Sequence, residues 1–373
     1  MDSKSKRILF ITPFVPSNIG AAMKFTKKTI EKLAEFCIVD VVYFITEGEQ
    51  DYEPTNDNIR VIESLKVGKI ERLLSVIQKP WLYPIFSVRY RNSLASSLKK
   101  RVESEQYSLI FLDHSQSFIY GKLFPELPKI LMSHDVIYQR VSRSSGKLSA
   151  SWCKRTEKRM MTQENASIFS FSTKDQTLIK DLYGFNSFVT SGSVDDLVFS
   201  VKPTNISNTF VFFGQWVRKD NSDGLEWFLA HVYPGADKRY QYKIIGRGLS
   251  DAILEKIKNY PNIEYLGFVD NPYQIIADAR AVLSPLFSGA GVKFKVLESM
   301  ACGTPVIGSE ISFEGIPEDY SELMILSETE EDYHTAMDSI DTNIVHRLAV
   351  RKRFLENYVK SQLVEYIKTI IEK

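Results

Sequence analysis

The chain has 373 residues, of which 44% are hydrophobic and 25% charged, a composition typical of a soluble globular protein with more than one core. The net charge of +1, without a recognised nucleic-acid-binding motif, argues against a partner made of nucleic acid. No apolar run approaches the ~18 residues of a membrane span, and the first apolar stretch is too short for a signal peptide, so we expect a cytoplasmic protein.

The three cysteines, Cys37, Cys153 and Cys302, are widely separated and odd in number. This pattern argues against a disulfide framework or a CxxC metal site. We expect small buried side chains in a reducing compartment.

The N-terminal half alternates buried strands with helices. "RILFITPF" predicts a strand, "VPSNIG" a loop, "AAMKFTKKTIEKLAEF" a helix and "CIVDVVYFI" a second strand. The same order returns in "YSLIFLDH", "KILMSHD", a helix over 151–165 and "ASIFSFS". Strand–helix–strand order predicts an open, mostly parallel sheet with flanking helices.

A basic segment lies inside this half. Residues 66–101 hold nine basic residues and one acid, Glu71, with Trp81, Tyr83, Phe86 and Tyr90 among them. Such a segment fits peripheral contact with the inner face of the membrane or an anionic acceptor, and it equally fits an ordinary solvated helical face over a core.

The second half repeats the alternation after a polar, turn-rich stretch. "SVKPTNISNT" predicts a boundary at 200–209, and "FVFFG", "YKIIG", "NIEYLGF", "AVLSPL" and "TPVIGS" predict strands. We therefore predict domains at 1–200 and 209–343, followed by an amphipathic helix over 344–373 that packs back on the first domain.

The stretch "FSGAGVKFKVLESMACGTPVIGS" contains a local conflict. A helix predicted from about Val292 to Gly303 carries Lys293 and Lys295 in its first turn, where the helix dipole disfavours cations. A bound phosphate would satisfy both lysines and the unpaired N–H groups of the first turn. The alternative is a pair of solvated lysines on an ordinary loop.

Several motifs, taken together, resemble glycosyltransferase family 4. "FVFFGQWVRKDNSDGLEWFL", "YKIIGRG", "NIEYLGFVDNPYQIIADARAVLSPL" and "GAGVKFKVLESMACGTPVIGS" match, in order and spacing, its donor-binding domain over about residues 210–317. The resemblance implies an α/β fold of the GT-B type, with two Rossmann-like parallel-sheet domains facing a cleft.

The resemblance also implies roles for particular residues. Lys219, Lys293 and His134 would be catalytic. Lys219, with or without Arg218, would contact the donor pyrophosphate, and Lys293 or Lys295 would add charge there. Glu298 would hold the ribose hydroxyls and His134 would contact the transferred sugar, with His114 as the rival histidine. The remaining residues expected to bind the donor are Gly20, Gly214, Arg218, Gly246, Phe268, Val269, Gly289, Ala290, Gly291 and Val292.

One position departs from the family pattern. Many members have two glutamates separated by seven residues, and the first falls here at Ala290. This chain resembles a subset in which a glycine-small-glycine loop and a basic residue replace that acid, which leaves the donor sugar open.

The implied activity is retaining transfer of a sugar from a UDP- or GDP-sugar to a glycan or lipid-linked acceptor in surface-polysaccharide assembly. No Asp-x-Asp pair occurs, so we expect no metal and no cofactor beyond the donor. Two alternatives stay open: a nucleotide-sugar 2-epimerase of similar build and a non-catalytic, donor-binding subunit. A dehydrogenase fits less well, because no GxGxxG motif follows the first strand.

Overall fold

A computed structural model describes residues 6–191, 194–358 and 362–372. They form two compact units, the first made of residues 6–191 and 362–372 and the second of residues 194–358. The boundary predicted at 200–209 lies inside the second unit. Every helix in the described ranges is too short or too polar to cross a lipid bilayer.

The first unit is built on a seven-stranded parallel sheet in the order β3-β2-β1-β4-β5-β6-β7. Its strands are β1 Arg7–Ile11, β2 Ile38–Ile45, β3 Ile59–Lys66, β4 Leu109–Asp113, β5 Lys129–Met132, β6 Ala166–Ser170 and β7 Ser187–Val189. All five residues of β4 are buried, as expected for a central strand covered on both faces. The strand order reverses between β1 and β4, where such sheets bind ligands.

Helices flank this sheet. They are α1 Ala21–Ala34, α2 Lys69–Gln78, α3 Pro84–Ser87, α4 Asn92–Ser104, α5 Phe118–Gly121, α6 Ile137–Ser144, α7 Lys147–Met161 and α8 Thr173–Tyr183. Of the elements expected from the sequence, the helix over 151–165 begins earlier and ends at Met161. Strands β3 and β7 were not predicted.

The second unit contains a six-stranded parallel sheet in the order β10-β9-β8-β11-β12-β13. Its strands are β8 Thr209–Phe213, β9 Gln241–Ile245, β10 Ile263–Gly267, β11 Ala281–Ser284, β12 Val306–Gly308 and β13 Met324–Leu326. The order reverses between β8 and β11. Two parallel-sheet units confirm the predicted α/β class.

The helices of the second unit are α9 Leu197–Ser200, α10 Lys219–Trp227, α11 Asp251–Ile257, α12 Tyr273–Ala277, α13 Phe294–Ala301, α14 Glu330–Ser339 and α15 Ile344–Tyr358. A π-helical turn, Phe228–Val232, continues α10, and short 3-10 turns cover Tyr233–Gly235, Glu310–Phe313 and Glu318–Leu323. The three cysteines are buried and unpaired, as expected.

The C-terminal stretch forms two helices rather than one. Helix α15 belongs to the second unit, whereas α16, Leu363–Ile371, belongs to the first. The hydroxyl of Tyr366 on α16 lies 2.8 Å from that of Ser167, and its ring packs 5.2 Å from Phe169. Helix α16 thereby packs against β6 of the first sheet.

Two buried arginines join α15 to the rest of the second unit. Arg351 donates to the carbonyl of Ala301 at 2.8 Å and to that of Val198 at 2.6 Å. Arg347 donates to the carbonyls of Ala279 and Arg280. Since Ala301 is the last residue of α13, Arg351 pairs a carbonyl that the helix itself leaves unsatisfied.

We predict that Arg351→Met lowers the free energy of unfolding of the second unit. The variant fills similar space but leaves two buried carbonyls unpaired, at about 1–3 kcal/mol each. Urea unfolding monitored by circular dichroism measures the change, with the exposed neighbour Lys352→Met as control. Equal midpoints for both variants would contradict the role given to Arg351.

Candidate functional site

The switch point of the second sheet gathers the loops that follow β8, β9, β10 and β11. In an open parallel sheet, loops at the carboxyl ends of strands form the ligand-binding edge. Most residues predicted to bind the donor lie in these four loops: Gly214, Arg218, Gly246, Phe268, Val269, Gly289, Ala290, Gly291 and Val292.

Gly246 brings two of these loops into backbone contact. Its φ is +125°, and a Cβ atom there would lie 1.7 Å from the carbonyl oxygen of Gly214. Its N–H also donates to the carbonyl of Gly267 at 2.7 Å. Because only glycine fits this approach, the loops after β8, β9 and β10 are held together at one point.

The glycine loop after β11 leads directly into α13. Gly289 has a φ of +132°, and Lys293 is the N-cap of the helix, which begins at Phe294 rather than at the predicted Val292. The first turn contains no acid and includes Lys295. The predicted conflict between the helix dipole and the lysines is therefore present in the fold.

Lys295 is partly buried beside helix α10. Its Nζ donates to Oδ1 of Asn221 at 2.8 Å, while Nδ2 of Asn221 donates to the carbonyl of Gln215 at 2.8 Å. Burial lowers the pKa of Lys295 to about 7; Asp220 opposes the change, and Arg218 and Lys293 add to it. An anion here would restore the charge of the ammonium group.

Lys293 forms a different set of contacts. Its Nζ donates to the carbonyl of Gly291 at 2.6 Å and lies 3.6 Å from Oε2 of Glu314, with both side chains largely buried. Glu314 follows the 3-10 turn Glu310–Phe313 and was not predicted. Ala290 carries no acid, but Glu314 brings a negative charge to this loop from another segment of the chain.

The two basic residues at the start of α10 lie closer to solvent. Lys219 is 86% exposed and pairs with Asp223 at 2.6 Å, one turn along the same helix. Arg218 pairs with Asp220 at 2.8 Å. Of the cations predicted to contact phosphate, Lys295 and Lys293 are therefore fixed by buried partners, and Lys219 is held only by a surface pair.

Glu298 lies one turn inside α13 and is buried. Burial raises the pKa of the fully buried phenol of Tyr273, and the charge of Glu298 and a hydrogen bond to it raise this pKa further. Tyr273, the first residue of α12, was not predicted to contact it. Glu298 thus has a hydrogen-bonding partner already in place.

Phe268 and Arg247 form an exposed flat surface after β10 and β9. The guanidinium carbon of Arg247 lies 4.0 Å from the ring centroid of Phe268, which is 46% exposed. Val269 beside it is partly buried. An aromatic ring and a guanidinium plane of this kind can stack on a base.

A second cluster lies at the switch point of the first sheet. Asp113, at the end of β4, is fully buried and accepts hydrogen bonds from Thr12 and Thr26 at 3.0 and 2.6 Å. Nε2 of His134, after β5, lies 2.7 Å from its other carboxylate oxygen. Gly20 is the N-cap of α1, with a φ of +89°. His134 and His114, the two candidate histidines of the sequence analysis, lie next to each other.

The imidazole rings of His114 and His134 are stacked with centroids 3.4 Å apart. His114 has a φ of +61°, which is unusual for a residue with a Cβ atom. Burial, helped by His134 and opposed by Asp113, lowers the pKa of His114 to about 3. Within the described ranges, Nε2 of His114 and Nδ1 of His134 are buried without a hydrogen-bond partner.

This cluster does not fit a shared metal ion as arranged. One atom each of Asp113, His114 and His134 lies within 4.8 Å of the others. An ion bound to imidazole lies in the ring plane, about 2.0–2.1 Å from nitrogen. Because the two rings are stacked 15° from parallel, an ion in one plane lies outside the other. The expected absence of a metal stays a prediction.

Sequence comparisons match parts of the chain. Residues 207–343 match the profile of the family described as Glycosyl transferases group 1. An uncharacterized 44.6 kDa protein in the cps region of Klebsiella pneumoniae is 27% identical over 131 residues, covering 32% of this chain and 34% of that protein. The chain thus matches about a third of the length of this relative.

Solved structures match nearly the whole chain. Sucrose-phosphate synthase from Thermosynechococcus elongatus superposes with a TM-score of 0.69 at 14% identity, covering 95% of both chains. HepE of Anabaena in complex with UDP and glucose gives 0.67 at 12%, covering 98% of this chain and 100% of its own. WaaG, a glycosyltransferase involved in lipopolysaccharide biosynthesis, gives 0.66 at 12%, covering 98% and 99%. The predicted GT-B type of α/β fold is confirmed.

We predict an acid-dependent loss of stability that originates at His114. Its pKa is lower in the folded than in the unfolded protein, so the unfolded chain binds the extra proton as the pH falls from about 6.5 toward 3. Each pH unit in this window costs about 1.4 kcal/mol. His114→Asn keeps a residue that tolerates positive φ and removes the titration.

The measurement is the free energy of unfolding of the first unit at pH 7, 6 and 5, compared between wild type and His114→Asn. The half-exposed His346→Asn serves as control and should follow the wild type. A variant that loses stability as steeply as the wild type would exclude His114 as the source.

Proposed function

We propose that this chain is a retaining glycosyltransferase. It would move a sugar from a nucleotide-diphosphate sugar to a glycan or lipid-linked glycan acceptor in bacterial surface-polysaccharide biosynthesis. The observation that carries the proposal is Lys295, partly buried at the first turn of α13 and bonded to Asn221, inside the segment that matches the glycosyltransferase profile.

The proposed donor is a UDP- or GDP-sugar. The diphosphate would lie against the first turn of α13 and Lys295, because the N–H groups at a helix N-terminus and an ammonium group both attract an anion. Arg247 and Phe268 would border the nucleobase, and Glu298 would accept from the ribose hydroxyls. UDP or UDP-glucose is present in the solved complexes of HepE, which supports UDP as the first nucleotide to test.

The proposed chemistry uses charge placed before the reaction begins. As the bond between the anomeric carbon and the phosphate oxygen breaks, negative charge grows on the departing diphosphate. Lys295, Lys293 and Lys219 would stabilise it together with the helix N-terminus, without a metal ion. Retention would follow from attack on the face that the diphosphate leaves, with a phosphate oxygen accepting the acceptor proton.

His134 would contact the transferred sugar, with His114 as the rival residue. Since the carboxylate of Asp113 accepts from Nε2–H of His134, the remaining Nδ1 is the acceptor nitrogen of that ring. Nδ1 is buried in the structure, so a hydrogen bond to it from a sugar hydroxyl would require the residues that cover Nδ1 to move. Asp113 is then the residue that positions His134.

A non-catalytic, donor-binding subunit is the second candidate. The position of the usual first glutamate is Ala290, and Glu314, which lies 3.6 Å from Lys293, is part of a buried ion pair. This arrangement would bind a nucleotide without providing the usual contact to the sugar. Binding without release of nucleotide from any donor would favour this candidate.

We predict that one nucleotide among UDP, GDP, ADP, dTDP and CMP, alone or as its sugar, stabilises the protein against heat. At one hundred times its dissociation constant, a ligand adds about 2.7 kcal/mol to the folded state. Glu298→Ala should lose the shift, and the exposed Glu226→Ala should keep it. The shift, not the absolute melting temperature, is compared, because Glu298 is buried.

Nucleotide release from the stabilising donor, measured with and without a glycan acceptor, distinguishes the transferase from the binding subunit. Absence of a thermal shift with every nucleotide would remove the basis for both candidates.

We predict a pH dependence of donor binding that Lys295 produces. With a pKa of about 7, Lys295 is mostly neutral above that pH, so binding a diphosphate must take up a proton. Affinity for UDP-glucose should fall about tenfold per pH unit above 7 and stay level below it. Lys295→Met should bind about 10- to 100-fold more weakly at pH 6, without the pH slope.

Titration calorimetry between pH 6 and 8.5, in buffers of different ionisation enthalpy, measures both the affinity and the proton uptake. Lys258→Met, on the exposed surface of the same unit, is the control. A pH slope that survives in Lys295→Met would assign the titration to another group.

A further inference from the structure

Helix α2 exposes a stripe of apolar side chains to solvent. Ile70, Leu73, Leu74 and Ile77 are between 51% and 71% exposed, whereas Ser75 is fully buried. Positions 70, 73, 74 and 77 form one stripe of a helix. The sequence left open an ordinary solvated face over a core, and the structure places the apolar stripe on the solvent side.

Polar contacts attach the other face of α2 to the protein. Arg91 donates to the hydroxyl of Ser75, and the side-chain oxygen of Gln78 accepts from the N–H of Asn92 at 3.2 Å. Glu71 accepts from the N–H of Gly68 at 2.9 Å and so caps the helix. The apolar stripe is therefore fixed outward by hydrogen bonds.

Two tryptophans extend the exposed apolar surface. Trp81 is 54% exposed just after α2, and its carbonyl accepts from the indole N–H of Trp152 on α7 at 3.1 Å. One turn before Trp152, Leu148 is almost fully exposed. We call Ile70, Leu73, Leu74, Ile77, Trp81, Trp152 and Leu148 the α2 surface.

Exposed basic residues lie on and next to the elements that carry the α2 surface. Lys66, Lys69 and Arg72 are exposed along β3 and α2, and Lys147 and Arg155 are exposed on α7. The single acid in 66–101, Glu71, is occupied as the helix cap. Buried hydrogen bonds account for part of the basic segment, since Arg89 donates to the carbonyl of Pro13. Lys69 and Arg72 thus share helix α2 with the apolar stripe.

We infer that the α2 surface docks on an anionic lipid bilayer. An apolar stripe enters the boundary between headgroups and acyl chains, lysines and arginines attract anionic headgroups, and tryptophan favours that boundary. A second copy of the chain fits less well, because pairing this surface with itself would bring Lys69 and Arg72 of both copies together. This inference goes beyond the proposed function and gives residues and a lipid class to the membrane contact considered in the sequence for residues 66–101.

The test uses the full chain and sedimentation with vesicles of phosphatidylcholine alone or with one-third phosphatidylglycerol. The wild type should bind the anionic vesicles and only weakly the neutral ones. Lys69→Gln with Arg72→Gln should weaken anionic binding about 25-fold, because each cation near the surface contributes about fivefold. Leu73→Glu with Ile77→Glu should weaken it at least about tenfold through lost apolar contact.

The matched control is Leu326→Glu with Val345→Glu, which places two acids at exposed apolar positions of the second unit. It should bind the anionic vesicles like the wild type. Equal loss in this control, no loss in the α2 variants, or no sedimentation of the wild type overturns the inference. The substituted residues are exposed, so folding is expected to be preserved.

Analytical ultracentrifugation without lipid addresses the second copy. A wild-type dimer that Leu73→Glu with Ile77→Glu converts to a monomer, together with absent vesicle binding, identifies a self-association surface and overturns lipid docking. Nucleotide-induced thermal shifts measured on the same variants distinguish a failure of lipid docking from a failure of the proposed function. A variant that loses vesicle binding but keeps the thermal shift is affected at the α2 surface alone.

Discussion

Parallel strand pairing is the constraint on which both candidate sites depend. In each sheet the first strand in the chain is an inner strand, and later strands are added on both sides of it. The loops after the neighbouring strands β1 and β4, and after β8 and β11, therefore lead away to opposite sides. The carboxyl ends of these strands leave space that the loops surround. Asp113 and His134 lie at one such point, and Gly214, Gly289 and α13 lie at the other.

Several locally unfavourable features lie together at the second switch point. Lys295 is partly buried at the positive end of a helix, Lys293 stands at the N-cap position of that helix, and Gly246 leaves no room for a side chain against Gly214. Lys295 at the helix N-terminus costs stability unless a negative ligand compensates it, whereas Lys293 already pairs with Glu314. Asn221 offsets part of the cost, because its amide joins Lys295 to the loop after β8. Sites that break local rules in this way are common where proteins bind ligands.

At the first switch point the buried charge is negative rather than positive. Hydrogen bonds from Thr26 and His134 offset the burial of Asp113 and keep this carboxylate ionised, while burial keeps His114 neutral. An ionised acid, one hydrogen-bonded histidine and one neutral histidine therefore occupy a small volume. The consequence is a fixed orientation of His134, which mobile surface histidines lack.

The sequence by itself determined the α/β class, most central strands, the glycine loop before α13 and its two lysines, because apolar periodicity and glycine are local signals. Only the tertiary structure decided which partners these residues have. Asn221 beside Lys295, Glu314 beside Lys293, Tyr273 beside Glu298 and Asp113 beside His134 are joined across long sequence separations, and no local pattern encodes such contacts. The apolar stripe of α2 has a helical period whichever way it faces, and the hydrogen bonds of Ser75 and Gln78 turn it toward solvent.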